Sequence, residues 1–204
     1  MRTSSSKKVK TFTPEELTNA LLVLWEQVQE SGFYPEAVVG IASGGTKCTS
    51  LLASKVDIKI YECVLRRPST ATKQKIPVTR FLRYVPYFIT DILRVIEDRR
   101  LERSTNNGVK LAASDRSVLD THCERIASDM RSQGMSRVLI VDDAVDSGHT
   151  LHAVKSRLAA AMGDGCEVRT AVVTTTRESC VERPDYSFFQ RTLCRFPWSF
   201  DYRG

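Results

Sequence analysis

A mostly parallel β-sheet flanked by helices is the architecture this chain predicts, and three observations predict it. Short apolar runs, Ala37 to Ala42 and Val138 to Val141, carry no polar alternation, which is the pattern of strands covered on both faces. Helical patterns separate such runs, and strands that alternate with helices build parallel sheets. At 204 residues the chain is long enough for one α/β domain with an insertion.

The elements follow in order. Thr13, Pro14, Glu15 and Glu16 form a capping box with proline at the first helical position, opening a helix whose apolar face is Leu17, Leu21, Leu24, Trp25 and Val28. Gly32 ends it. The strand Ala37 to Ala42 leads through Ser43, Gly44 and Gly45 to a helix over Thr46 to Lys55, and Ile58 to Leu65 reads as a second strand. Arg80 to Leu101 reads as an amphipathic helix or helix pair interrupted at Pro86, and Ser104 to Ser114 as a mobile loop. A helix over Val118 to Gln133, the central strand, a helix over Leu151 to Met162 and a strand over Val168 to Thr175 complete the series. No internal repeat is visible.

Composition narrows the class. Met1 to Lys10 is polar and basic, without a signal-peptide pattern, and no apolar stretch reaches transmembrane length, so a cytoplasmic protein is expected. The six cysteines are scattered without metal spacing, which favours reduced thiols over disulfides or zinc.

Chemistry concentrates in Val138 to Leu151, VLIVDDAVDSGHTL. A buried strand ends in Asp142 and Asp143, places Asp146 three residues on, and runs into Ser147, Gly148, His149 and Thr150. Ligands of open α/β sheets bind outside the carboxyl ends of the strands. Small residues free backbone N–H groups there, and the following helix turns its positive dipole end to the loop, which suits a phosphate monoester. Acids beside an anion site suit a ligand with hydroxyls at one end and phosphate at the other.

This segment resembles the phosphoribosyl pyrophosphate (PRPP) motif of the type I phosphoribosyltransferases: two acids, two apolar or small residues, Asp, Ser or Thr, Gly, any residue, Thr. The resemblance implies that Asp142 and Asp143 hold the ribose hydroxyls, directly or through magnesium. It implies that Asp146 contacts the incoming base and takes or relays its proton, that Ser147, Gly148, His149 and Thr150 bind the 5-phosphate, and that Ala144 and Val145 between the acids are among the substrate-binding residues. His149 occupies a variable slot, which favours an exposed imidazole over a catalytic one.

Gly40 to Gly45, GIASGG, resembles the pyrophosphate loop of the same family, with Ser43, Gly44, Gly45 and Lys47 as binding residues and a cis peptide expected between Ser43 and Gly44. Relatives frequently carry Arg or Lys at Ser43; Lys47, one turn later, is placed to supply that charge. At the C-terminus, Pro184, Asp185, Tyr186 and then Phe196, Pro197, Trp198 resemble the hood of the hypoxanthine, guanine and xanthine phosphoribosyltransferases. By that resemblance residues 177–204 cover the base, Arg177 reads a 6-oxopurine and Trp198 stacks on it. The bland alternative is that Tyr186, Phe196 and Trp198 close the edge of the core.

Arg66 to Lys110 holds eleven basic residues against four acidic ones, a net of +7 where the whole chain carries +6. Residues 66–115 are thus expected to form a basic helical insertion and flexible loop. Such insertions pack against a second subunit in this family, which implies a homodimer; a surface for nucleic acid or a protein partner is the sharper alternative. Two functional classes stay open, a purine-type phosphoribosyltransferase and a noncatalytic sensor of PRPP or a nucleotide.

Overall fold

The structure, a computed structural model, describes residues 9–65, 86–103 and 113–203. Its elements are β1 (Val9–Thr11), α1 (Pro14–Glu30), β2 (Ala37–Ile41), α2 (Gly44–Ala53), β3 (Lys59–Cys63), α3 (Tyr87–Arg103), α4 (Ala113–Ser132), β4 (Arg137–Val145), α5 (His149–Met162), β5 (Glu167–Thr175), β6 (Tyr186–Phe189) and β7 (Leu193–Arg195). Five strands pair in the order β3-β2-β4-β5-β6, every pairing parallel, and β1 pairs with β7 in a separate two-stranded sheet, also parallel. The expected parallel sheet with flanking helices is therefore the observed fold.

Both faces of the central strands are covered, as their unbroken apolar runs require. Val39, Ile41, Val138, Ile140 and Val172 pack with α4 and α5 through Leu119, Ile126, Met130, Leu151 and Leu158. Their neighbours in the chain, Val38, Leu139, Val141 and Val173, turn the other way onto α1 and α2 through Leu17, Leu21, Trp25 and Leu52. The edge strand β3 is mostly exposed, with only Cys63 buried.

The capping box forms as expected: Thr13 Oγ1 accepts the Glu16 N–H at 3.1 Å, and the Glu16 carboxylate accepts the Thr13 N–H at 2.9 Å. Thr13→Ala should lower stability by about 1 kcal/mol, read as a reduced urea midpoint at unchanged slope.

Several boundaries differ from expectation. α2 begins at Gly44, so the glycine pair is helix rather than a preceding turn. The cis peptide joins Ala42 to Ser43, one bond before the expected one, because the Ser43–Gly44 bond already enters the helix. α4 begins at Ala113, ahead of the expected Val118, and takes in the last two residues of the expected loop; residues 104–112 lie outside the described residues. Of the expected helix over 80–101, residues 80–85 also lie outside, and the helix runs from Tyr87.

α3 is docked by its polar side. Thr90 is buried, Asp91 and Arg94 reach the C-terminal segment, and Tyr87 Oη donates to the Arg203 carbonyl at 3.0 Å. Ile89, Ile92, Leu93 and Ile96, at the spacing of one helical stripe, are exposed. The receiving side chain is Arg195, only 1 % exposed. Its Nε donates to Asp201 at 2.8 Å and its terminal nitrogens to Thr11, Thr90 and Asp91 at 2.8, 2.8 and 2.6 Å, with the guanidinium 4.3 Å from the Tyr87 ring centre. Among the described residues no helix is long and apolar enough to cross a membrane.

Candidate active site at the carboxyl edge of the sheet

β2, β4 and β5 are neighbours and parallel, so the segments that leave their carboxyl ends emerge side by side. Ser43 to Lys47 follow β2, Asp146 to Thr150 follow β4, and Thr176 and Arg177 follow β5. Three stretches far apart in the chain meet at one edge, where ligands of such sheets bind.

The paired acids are brought together by α2 rather than by a turn after the strand, since β4 continues through Val145. A Cβ on Gly44 would lie 2.2 Å from the Asp143 carboxylate, and one on Gly45 would lie 2.2 Å from the Val141 carbonyl and 3.2 Å from Asp142 Oδ1. Only glycine lets the helix approach so closely. Asp142 is 3 % exposed and its Oδ1 accepts the Asp143 N–H at 2.9 Å. Burial, then the charges of Asp143 and Asp142, push the thiol of Cys48 up.

Two helix N-termini face this edge without side-chain caps, α2 after Ser43 and α5 after Gly148. Gly148 is left-handed at φ 78°, a conformation glycine adopts freely. Their leading N–H groups suit anions. Ser43 and Lys47 are exposed, while Ser147, His149 and Thr150 are half-buried. Val145, by contrast, is buried in the core and Ala144 packs on the other core face, which leaves their backbones for any ligand contact.

On the β5 side, both oxygens of Asp146 are engaged. Thr176 Oγ1 donates to Oδ1 at 2.6 Å, Arg177 Nε lies 2.6 Å from Oδ1, and Arg177 Nη2 donates to Oδ2 at 3.1 Å. The two residues expected on the base thus contact each other. Thr176 escaped the sequence reading, since a third threonine in a β-rich run carries no signal of its own. So did the loop that covers Gly148: Val181 N–H donates to the Ser147 carbonyl at 2.9 Å, and Glu182 backbone lies 2.7 Å from where a Gly148 Cβ would be. Lys155 and His152 hold Glu182 at 2.9 and 3.0 Å, and these bonds keep its carboxyl low although burial raises it.

The tail reaches across to the acids. Trp198 Nε1 donates to Asp143 Oδ2 at 3.0 Å, its ring stacks on Phe196 at 5.3 Å, and Lys47 Nζ lies 5.2 Å from its ring centre. Arg94, one of the basic residues of the insertion, is turned inward onto Asp201 and the Cys194 carbonyl.

Among the described residues no group of three or more His, Cys, Asp or Glu side chains could hold a metal ion. Asp142 and Asp143 offer the hard oxygen donors of a cation that takes one or two carboxylates and completes its shell with water and substrate.

The phosphoribosyl transferase domain family matches residues 15–203. No curated protein matches the chain. Among solved structures, a xanthine-guanine-hypoxanthine phosphoribosyltransferase of Helicobacter pylori is similar at a TM-score of 0.55 and 18 % identity, over 94 % of this chain and 92 % of that one. A purine phosphoribosyltransferase of Pyrococcus horikoshii is similar at 0.50 and 18 %, over 94 % and 93 %. A hypothetical protein of Neisseria gonorrhoeae with bound ppGpp is similar at 0.54 and 15 %, over 95 % and 90 %. These likenesses carry the fold, while the domain match, which spans nearly the whole chain and the site at its sheet edge, carries the family: the chain belongs to the phosphoribosyl transferases.

Proposed function

We propose that the protein transfers the 5-phosphoribosyl group of PRPP to a purine-like base with release of pyrophosphate. The observation that carries the reading is the convergence of Gly44 to Lys47, Asp142 to Thr150 and Thr176 to Arg177 at the ends of three adjacent strands. The uncapped start of α5 receives the 5-phosphate, and Asp142 and Asp143 receive the ribose hydroxyls. The start of α2 with Lys47 receives the pyrophosphate. Asp142 and Asp143 would hold a magnesium ion, whose charge would neutralise the pyrophosphate. Arg177 stands beside Asp146, where a fork of donors meets a 6-oxopurine, and Asp146 orients the attacking nitrogen.

The exposed stripe of α3 supports the insertion as the contact of a homodimer, and the inward pairing of Arg94 removes one cation from a nucleic-acid surface. The metabolic setting that suits such a reaction is the cytoplasm.

Pyrophosphate release from PRPP and magnesium across a panel of nucleobases tests the reading. Turnover with guanine, xanthine or hypoxanthine, lowered about a hundredfold in Asp146→Asn, is the expected outcome. A second reading, a sensor of PRPP or a nucleotide, is favoured by one observation: Asp146 has both oxygens committed to Thr176 and Arg177 rather than turned to an incoming base. The Neisseria gonorrhoeae neighbour holds a nucleotide. Binding of PRPP without release for any base would select this second reading.

A further inference from the structure

We propose that Trp198 is a positioning residue for the donor side of the site, holding Asp143 by its edge and Lys47 by its face, rather than a platform for the base. The proposal rests on the phosphoribosyl transfer reading above and assigns Trp198 a different part in it.

An indole is polar in a definite sense: its ring face is electron-rich and its N–H edge is positive. Both features are used here. Nε1 donates to Asp143 Oδ2 at 3.0 Å, and the Lys47 ammonium sits 5.2 Å from the ring centre. One side chain therefore binds an anion and a cation together, each through the part of opposite sign. Asp143 and Lys47 would otherwise attract each other directly, yet among the described residues no ion pair joins them. Their functions in the reading above require that separation. A carboxylate that accepts ribose hydroxyls and an ammonium that receives pyrophosphate must stand apart and uncancelled before the donor arrives.

The indole is itself fixed. It stacks on Phe196 with an interplanar angle of 6°, and Phe196 stacks on Phe12 at 10°. Immediately before this stack comes Arg195, whose buried guanidinium ties the tail to Asp91 and Thr90 of α3, to Thr11 of β1 and to Asp201 beyond it. The Trp198 N–H is thus aimed by a rigid frame, and that frame includes the inserted helix. A base platform needs an open ring face; here Phe196 stacks on one face, and the Lys47 ammonium stands over the ring at 5.2 Å.

The test is titration of PRPP with magnesium into the full chain by calorimetry, alongside steady-state KM values for donor and base. Trp198→Phe keeps the stack on Phe196 and removes the N–H. The dissociation constant and KM for PRPP should rise about tenfold, the loss of one charge-assisted hydrogen bond, while the KM for the base moves by less than about twofold. Trp198→His places an N–H on a five-membered ring in the same slot and should recover part of the donor affinity. In a Trp25→Phe background Trp198 is the remaining tryptophan, and its emission should shift on donor binding and not on addition of base alone. Unchanged donor affinity in Trp198→Phe, or a raised base KM with normal donor affinity, overturns the proposal and leaves the transfer reading intact. A wild-type chain that binds no PRPP overturns the transfer reading and this proposal with it.

Discussion

Arg195→Leu should lower the unfolding free energy by about 3–5 kcal/mol, the usual cost of removing one partner from a buried ionic network. Among the described residues Arg195 is the largest fully buried side chain, and Asp201 beside it is only 4 % exposed. Burial would raise the Asp201 carboxyl, but hydrogen bonds from Arg94 and Arg195 hold it well below the usual carboxylate range. Its folded pKa is thus lower than its unfolded one. The stabilisation is complete above the unfolded value near about 4 and is lost as pH falls through the folded value. Denaturation of the wild-type chain below about pH 4 should accordingly show an acid-labile component, which Arg195→Leu reduces. Pairing Arg195→Leu with Asp201→Leu should regain little of the loss, because Arg94 still holds Asp201 in the single variant and loses that partner in the double one. Urea melts of both variants between pH 3 and 7 check this; an Arg195→Leu melt that matches wild type at neutral pH contradicts it.

Gly45→Ala should cost about 3 kcal/mol or more and with it all donor binding. The added Cβ would stand 2.2 Å from the Val141 carbonyl oxygen and 3.1 Å from the Asp142 Cα, both backbone atoms of the central strand. Neither can rotate away, so α2 must move off β4. That motion separates the helix from the two acids it brings together. Gly44→Ala differs in kind: its Cβ meets the Asp143 carboxylate, 2.2 Å away, which is a side chain and can swing. Gly44→Ala should therefore remain folded while PRPP affinity falls. Thermal unfolding and calorimetric titration of the pair separate the two effects.

Much of this was legible in the chain. The unbroken apolar runs of β2 and β4 announced burial on both faces, and the spacing of Asp142, Asp143, Asp146 and Gly148 announced the family. Other features leave no periodic trace. β1 and β7 are three residues each, too short for an alternation to register. α3 is amphipathic in sequence, but the pattern does not say which side faces the protein, and here the polar side does because Arg195 waits for it. The capped start of α1 could be read from Thr13 and Glu16; the start of α2 could not, since Ser43 makes no side-chain cap. The Arg177 to Asp146 and Trp198 to Asp143 contacts join residues 31 and 55 apart, and only the fold brings them into reach.

The bond from Arg195 to Thr11 spans 184 residues. As a nascent chain emerges, β2, β3 and β4 can pair and α1 and α2 can cover them while the tail is still inside the ribosome. β7, Arg195 and Trp198 follow all of these in the chain, so β1 must wait unpaired while β2 to β6 are made. The sheet edge with its acids can form early, and the indole that bonds Asp143 joins it only after β7 has been made.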